Sequence, residues 1–204
     1  RPRPRSTPFR TWPPAAAAVR LGSRLMTISW ASTVVAACCA AGSLRATTAL
    51  CLRSEPEGEG ARTARALRAC GVAAEVVADA AGLRRVGSVE TVVAGADAVT
   101  PTGVVNKAGT RALATAAREA RVDVLVLAGE AKFVGAELPV VPPFEWTPLG
   151  LVTAVAAGGR YLGPAAASEL AAARPLPPRL AALLAELAAG AGEDEADQER
   201  NKNK

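Results

Sequence analysis

Short runs of β-branched and aliphatic residues recur along the chain, with Ala-rich amphipathic stretches between them. Runs of this kind, bounded by Gly, Pro and charged clusters, read as buried strands, and the longer stretches between them as helices. The pattern predicts a strand over Leu25–Ser29 leading into a helix, a strand over Ala46–Leu52, a helix over Ala61–Ala69 closed by Gly71, and a third strand over Glu75–Ala78. A short helix over Asp79–Arg85, a strand over Val89–Ala94, a helix over Lys107–Ala120 and a near-continuous apolar strand over Val122–Ala128 follow. Val152–Ala157, with Tyr161 and Leu162, should complete the sheet or pack on it, whereas the Pro-rich stretch 139–148 reads as a loop. Strands alternating with helices at this spacing imply crossover connections and a parallel sheet with helices on both faces, an α/β Rossmann-like domain expected over 25–190.

The two ends depart from this pattern. Proline recurs through residues 1–24 and lacks a backbone donor, so this stretch reads as a disordered basic arm. Residues 191–204 are charged and read as a disordered tail. Leu180, Leu183, Leu184 and Leu187 keep helical spacing after Pro177-Pro178 and predict an amphipathic helix. Residues 25–44 could imitate a signal peptide or a membrane span, but Thr27, Ser29, Ser32 and Thr33 interrupt the apolar run and Ala is a weak driver of insertion. No membrane association is therefore expected, and a cytoplasmic location is. The chain begins with Arg rather than Met, which leaves open whether its start is complete.

Half of the 204 residues are hydrophobic but only 3% are aromatic, so the core is expected to be built from closely packed Ala and Val. The formal charge of +5 points to nucleic acid only until the positions are read. Arg1, Arg3, Arg5, Arg10, Arg20 and Arg24 crowd the start of the chain, which fits a flexible arm better than a nucleic-acid surface. The absence of histidine removes Ser-His-Asp and Cys-His catalysis and the common His-containing zinc sites. Cys38, Cys39, Cys51 and Cys70 include no Cys-x-x-Cys pair and have apolar neighbours, so all are expected as reduced, buried thiols. No metal and no cofactor is expected.

Candidate chemistry concentrates in residues 92–111, where a strand ends in Gly95-Ala96-Asp97, passes through a Pro/Gly loop and restarts at Asn106-Lys107. Open α/β sheets place ligands beyond such strand ends. Nearly all basic residues are Arg, and the only lysines before the tail are Lys107 and Lys132; Asn106 is the only asparagine before it. A compact ammonium and a small carboxamide differ chemically from Arg and Ala, so the Asn106-Lys107 pair reads as chosen for a site. Asn106 is expected as the cap of the following helix, with Lys107 reaching a phosphate as a point charge. Ser32, in a hydroxyl-rich first helical turn, is placed to meet a phosphate. Lys132 lies in a loop and is a further candidate.

Gly95-Ala96-Asp97, then Gly103-Val104-Val105-Asn106-Lys107-Ala108-Gly109-Thr110, then Ala114 and Ala117, resembles the signature of the initiation factor 2B alpha/beta/delta subunit family. Lys132-Phe133 and Pro143-Phe144-Glu145-Trp146-Thr147-Pro148 extend the likeness. That family includes aldose–ketose isomerases acting on methylthioribose 1-phosphate and ribose 1,5-bisphosphate. The resemblance implies the C-terminal Rossmann-like domain of the family, general acid/base work for Asp97, substrate binding by Gly95, Asn106, Lys107 and Arg62, and a homodimer or a related subunit as partner. In a family that pairs subunits, the leucine stripe near the C-terminus is a candidate interface. Two departures bear on activity. The isomerases carry a catalytic cysteine after the first strand, and the matching position in Ile28-Ser29-Trp30-Ala31-Ser32 is Ala31. The family's Glu-Ser/Thr-Arg-Pro loop is here Arg53-Ser54-Glu55-Pro56, with the charges exchanged. The expected function is accordingly a module binding a sugar phosphate or nucleotide without the full catalytic pair. The alternatives are an active ribose-phosphate isomerase and a degenerate subunit acting only through protein contacts.

Overall fold

The computed structural model describes residues 21–39 and 47–187. The expected arm, apart from Leu21–Arg24, and the expected tail lie outside these residues. The first described strand, β1 (Arg24–Thr27), lies inside a seven-stranded sheet; the chain then moves outward through β2 (Thr48–Leu52) to β3 (Ala73–Val77) and returns to β1's other side as β4 (Thr91–Gly95). From there it continues outward through β7 (Asp123–Leu127), β9 (Ala154–Ala157) and β10 (Arg160–Leu162). All neighbours in this sheet are parallel except β9 and β10, whose antiparallel pairing forms one edge.

Alternation along these strands sends successive residues to opposite faces, and both faces are apolar because both are covered. Leu25, Cys51, Val93 and Leu125 join Val34 and Cys38 of α1 (Ser32–Cys39) and Ala64 and Leu67 of α2 (Glu59–Ala69) in one core. Met26, Leu52, Val92 and Val124 point the other way, into a second core with α4 (Thr110–Glu119) and the region of α3 (Asp79–Arg85). On α4 the buried residues Thr110, Leu113, Ala114 and Ala117 follow the i, i+3, i+4, i+7 spacing of a single helix face. A third core lies under α5 (Pro164–Ala172), whose first residue is a proline pre-set for a helix start. Gly60 lets α2 lie against β2, because a Cβ there would fall on the carbonyl of Leu52.

The structure differs from the sequence expectation in three places. Residues 103–107 form a strand, β6 (Gly103–Lys107), and the helix begins only at Thr110 after Gly109, whose φ of 98° favours glycine. β6 pairs antiparallel with β5 (Ala98–Val99) on one side and β8 (Phe144–Pro148) on the other, so the stretch read as a Pro-rich loop supplies a strand. This small sheet stands beyond the carboxyl ends of β4 and β7, since β5 follows β4 closely and Val99 bridges Phe133 after β7. The expectation of four reduced thiols is also corrected. Cys39, at the end of α1, is disulfide-bonded to Cys70, which caps the end of α2, across a Cα–Cα distance of 5.4 Å. The two residues belong to different helices, which leaves no spacing signal in the chain. A helical segment over 178–187 is present as expected, with Leu183 and Leu187 exposed. No helix among the described residues is long and apolar enough to cross a membrane.

Candidate functional site

The strand order reverses between β1 and β4, and at such a switch point the segments leaving the two strands diverge and open a crevice at their carboxyl ends. From β1 the chain supplies Ile28–Ser32, a turn in which Ser29 takes a φ of 61° before α1 begins. From β4 it supplies Gly95-Ala96-Asp97. The two segments touch: a Cβ at Gly95 would lie 2.6 Å from the Cβ of Ala31. Gly95 thus permits the close approach, and Ala31 sits directly beside the strand end that carries Asp97.

The β1 turn is fixed from the side of β2. The backbone N–H of Ser29 donates to Oγ of Ser54 at 2.7 Å, and the hydroxyl of Thr63 on α2 donates to the carbonyl of Ser29 at 2.7 Å. The N–H groups of Ser54 and Glu55 donate to the two carboxylate oxygens of Asp79 at 2.8 and 3.0 Å. Asp79 therefore satisfies the tight β2–α2 loop, in which Ser54 has a φ of 63° and is buried.

Asp97 is half exposed, and its Oδ1 lies 3.8 Å from Nζ of Lys132, so a lysine from the loop after β7 reaches the carboxylate at the end of β4. Its backbone N–H donates to the carbonyl of Val105 at 2.8 Å, which ties it to the hairpin carrying Asn106 and Lys107. Neither residue of that pair stands where the sequence expectation placed it. Asn106 is not a helix cap: it is buried in β6 and its Nδ2 donates to the hydroxyl of Thr110 at 3.0 Å. Lys107 is the end of the same strand, only 3% exposed, and its ammonium is held by Glu57, with Glu59 at 3.3 Å. Burial works against the charged form of Lys107, but its hydrogen bond to Glu57 and the nearby carboxylate of Glu59 outweigh that cost and hold its pKa above the ordinary lysine value. The hydrogen bond from Lys107 holds the carboxyl of Glu57 below the usual carboxylate range.

Ser32 is exposed at the first position of α1, and Arg62 on α2 lies over the ring of Trp30 at 3.9 Å from the ring centre. The structure therefore brings Gly95 and Asp97 beside the turn that carries Trp30, Ala31 and Ser32, with Lys132 at Asp97, Arg62 over Trp30, Lys107 bridging to the loop after β2 and Asn106 turned to Thr110. Glu57, Glu59 and Trp30 were not picked out by sequence reasoning. The repeated acidic residues of Glu55-Pro56-Glu57-Gly58-Glu59-Gly60 were the available signal, read only as a loop. Arg53 does not stand free to replace the exchanged charge, since it pairs with Glu55 at 3.3 Å.

No thiol is available beside Asp97. Burial pushes Cys38 up to about 12, with the neighbouring Cys51 adding to it, and burial pushes Cys51 up to about 12 as well. Such thiols are neither ionised nor exposed at neutral pH, and Cys39 is in the disulfide. Asp97 could exchange protons with a bound molecule, and the cationic groups could meet an anion. Among the described residues no group of three His, Cys, Asp or Glu is placed to hold a metal ion.

The chain resembles known proteins in sequence and in fold. It is 40% identical over 81 residues to ribose 1,5-bisphosphate isomerase of Archaeoglobus fulgidus, a match covering 39% of this chain and 26% of that protein. The translation initiation factor eIF-2B of Pyrococcus horikoshii OT3 superposes with a TM-score of 0.60 at 28% identity, over 69% of this chain and 58% of that one. The 5-methylthioribose 1-phosphate isomerase of the same organism superposes with a TM-score of 0.63 at 19% identity, over 76% and 55% of the two chains, and shows the shared fold. The chain thus spans less than two thirds of the length of each of these proteins. Residues 12–139, more than half of the chain and the part that holds Ala31, Asp97, Asn106, Lys107 and Lys132, match the Initiation factor 2 subunit family, and the chain belongs to that family.

Proposed function

We infer that the crevice between β1 and β4 binds a sugar phosphate or a nucleotide, and that the protein works as a binding or regulatory module of its family. The observation that carries this reading is the meeting of Asp97 and Lys132 at the strand ends, beside the Ala31–Ser32 turn. A carboxylate facing the hydroxyls of a sugar, with ammonium groups and an exposed Ser32 at the start of α1 for its phosphate, is a chemically complete recognition set. In this reading Asp97 orients the sugar, Lys132, Arg62 and Ser32 meet the phosphate, Gly95 lets the Ala31 turn lie against the strand end that carries Asp97, and Asn106 fixes the strand that carries Lys107. The lack of an ionisable thiol beside Asp97 supports binding without the full catalytic pair. A charged sugar phosphate does not cross a bilayer unaided, which supports a cytoplasmic setting. The exposed leucines of 178–187 support pairing with a second copy or a related subunit.

A second reading, an active aldose–ketose isomerase with Asp97 as its acid/base, is favoured by the 40% identity to a ribose 1,5-bisphosphate isomerase over 81 residues. One experiment tests the pocket and leads to the choice between them. Thermal unfolding is followed while ribose 1,5-bisphosphate, ribose 5-phosphate, methylthioribose 1-phosphate and AMP are titrated in turn. A ligand that binds only the native state stabilises it by about 2.7 kcal/mol at a hundred times its Kd, so a saturable rise in Tm is expected with at least one of the four. No rise with any of them contradicts the pocket and leaves a subunit acting through protein contacts alone. Where a ligand does raise the Tm, its turnover to a ketose would favour the isomerase, and stable binding without turnover the regulatory module.

A further inference from the structure

The Lys107–Glu57 pair stands in a revealing place. β2, β1 and β4 are neighbours in that order. Glu57 belongs to the loop leaving β2, while Lys107 ends the strand of the small sheet that stands beyond β4. The ion pair therefore passes across the carboxyl end of β1. The contact between Gly109, just after Lys107, and Ile28 at the end of β1 fixes the same proximity: a Cβ at Gly109 would lie 3.1 Å from Cδ1 of Ile28. Lys107 is almost wholly covered, whereas Glu57 is 46% exposed, so the carboxylate forms the outer side of the bridge and the ammonium the inner.

We propose that Glu57 is an internal anion held on Lys107, which an incoming ligand must displace, and that it thereby selects phosphate esters over carboxylates. This rests on the reading of the crevice as a sugar-phosphate pocket. The selection follows from charge and tethering. Glu57 is attached to the loop and so competes at a high effective concentration for its lysine. A carboxylate of a free ligand offers the same single charge as Glu57 and gains nothing by replacing it. A phosphate ester carries about −1.5 to −2 charge at neutral pH and three acceptor oxygens, so it gains both charge and hydrogen bonds in the exchange. Glu59, at 3.3 Å, remains on the ammonium throughout and keeps Lys107 charged when Glu57 leaves. The charge exchange in Arg53-Ser54-Glu55-Pro56 acts in the same direction, because Glu55 occupies Arg53 and leaves Lys107 as the cation over which ligand and loop compete.

The test is calorimetric titration of the wild type and Glu57→Gln with ribose 1,5-bisphosphate and with ribonate, the sugar acid whose C1 is a carboxylate and which carries no phosphate. Glu75→Gln, which breaks an exposed ion pair with Arg85 on α3, serves as the control for loss of a surface charge. Glu57→Gln should bind the bisphosphate about tenfold more tightly than the wild type and acquire measurable affinity for ribonate, while Glu75→Gln should match the wild type with both. A wild type that binds the bisphosphate while Glu57→Gln binds it equally or more weakly would overturn the role of Glu57 and leave the pocket standing. Absence of bisphosphate binding in both proteins, each folded by its unfolding transition, would overturn this role and the pocket together.

Discussion

Gly60→Ala should cost about 3 kcal/mol of stability, at the upper end of what overpacking usually costs. The added methyl would land on the backbone carbonyl of Leu52 and against Cα of Arg53, so no side-chain rotation relieves it. Only a shift of α2 away from β2 would make room. That shift would open the core between Leu67, Ala64 and the strands, and displace Thr63 and Arg62 from the β1 turn and Glu59 from Lys107. Gly129→Ala is the comparison: a Cβ there meets nothing within 4 Å and the backbone is extended, so its unfolding free energy should stay within about 0.5 kcal/mol of the wild type. Urea unfolding of both variants reads the difference. A Gly60→Ala protein as stable as Gly129→Ala would show that α2 does not lie against β2 as described.

Lys107→Met should weaken ribose 1,5-bisphosphate binding about a hundredfold, the scale of a charge-assisted hydrogen bond worth roughly 1.5–3 kcal/mol. Methionine keeps the length and burial of the side chain but removes the charge. It also leaves Glu57 and Glu59 without their shared cation at the mouth of the crevice, where they would repel a phosphate. Glu57 is partly exposed and water takes over its solvation, whereas Oε2 of Glu59 is buried without a hydrogen-bond partner, so Lys107→Met should also lower stability. Titration calorimetry on the folded variant measures the effect, and an unchanged Kd would remove Lys107 from the site.

The contrast between Lys107 and Asp97 shows how far local sequence reaches. The position of Asp97 was legible because the signals for it are local: an apolar β-branched run, then Gly-Ala-Asp, then a Pro/Gly loop. The same holds for the parallel strands, whose continuous apolar character follows from being covered on both faces. Lys107 was misplaced into a helix because the Ala-rich residues after it carry a helical pattern that runs back without a visible break. What makes Val104–Lys107 a strand is pairing with Ala98–Val99 and with Phe144–Pro148, some forty residues downstream, and pairing at that distance leaves no periodicity in the strand itself. Phe144 to Pro148 was obscured by its prolines, although β8 lies outermost in the small sheet, where a proline is tolerated. The Pro and Gly of the acidic stretch 55–60 mark a loop and nothing more; the role of its carboxylates depends on which cation the fold brings to them. The disulfide was hidden for the same reason, since its two cysteines end separate helices.

The central claim, a sugar-phosphate pocket at the carboxyl ends of β1 and β4, is tested most directly by backbone amide NMR during titration with ribose 1,5-bisphosphate. Saturable shifts are expected at Ala31 and Ser32, at Gly95 to Asp97, at Lys107 and at Lys132, all with one Kd, while the last turn of α4, which leads back to the amino end of β7, stays unperturbed. Absence of saturable shifts, or shifts confined to residues away from these strand ends, would contradict it.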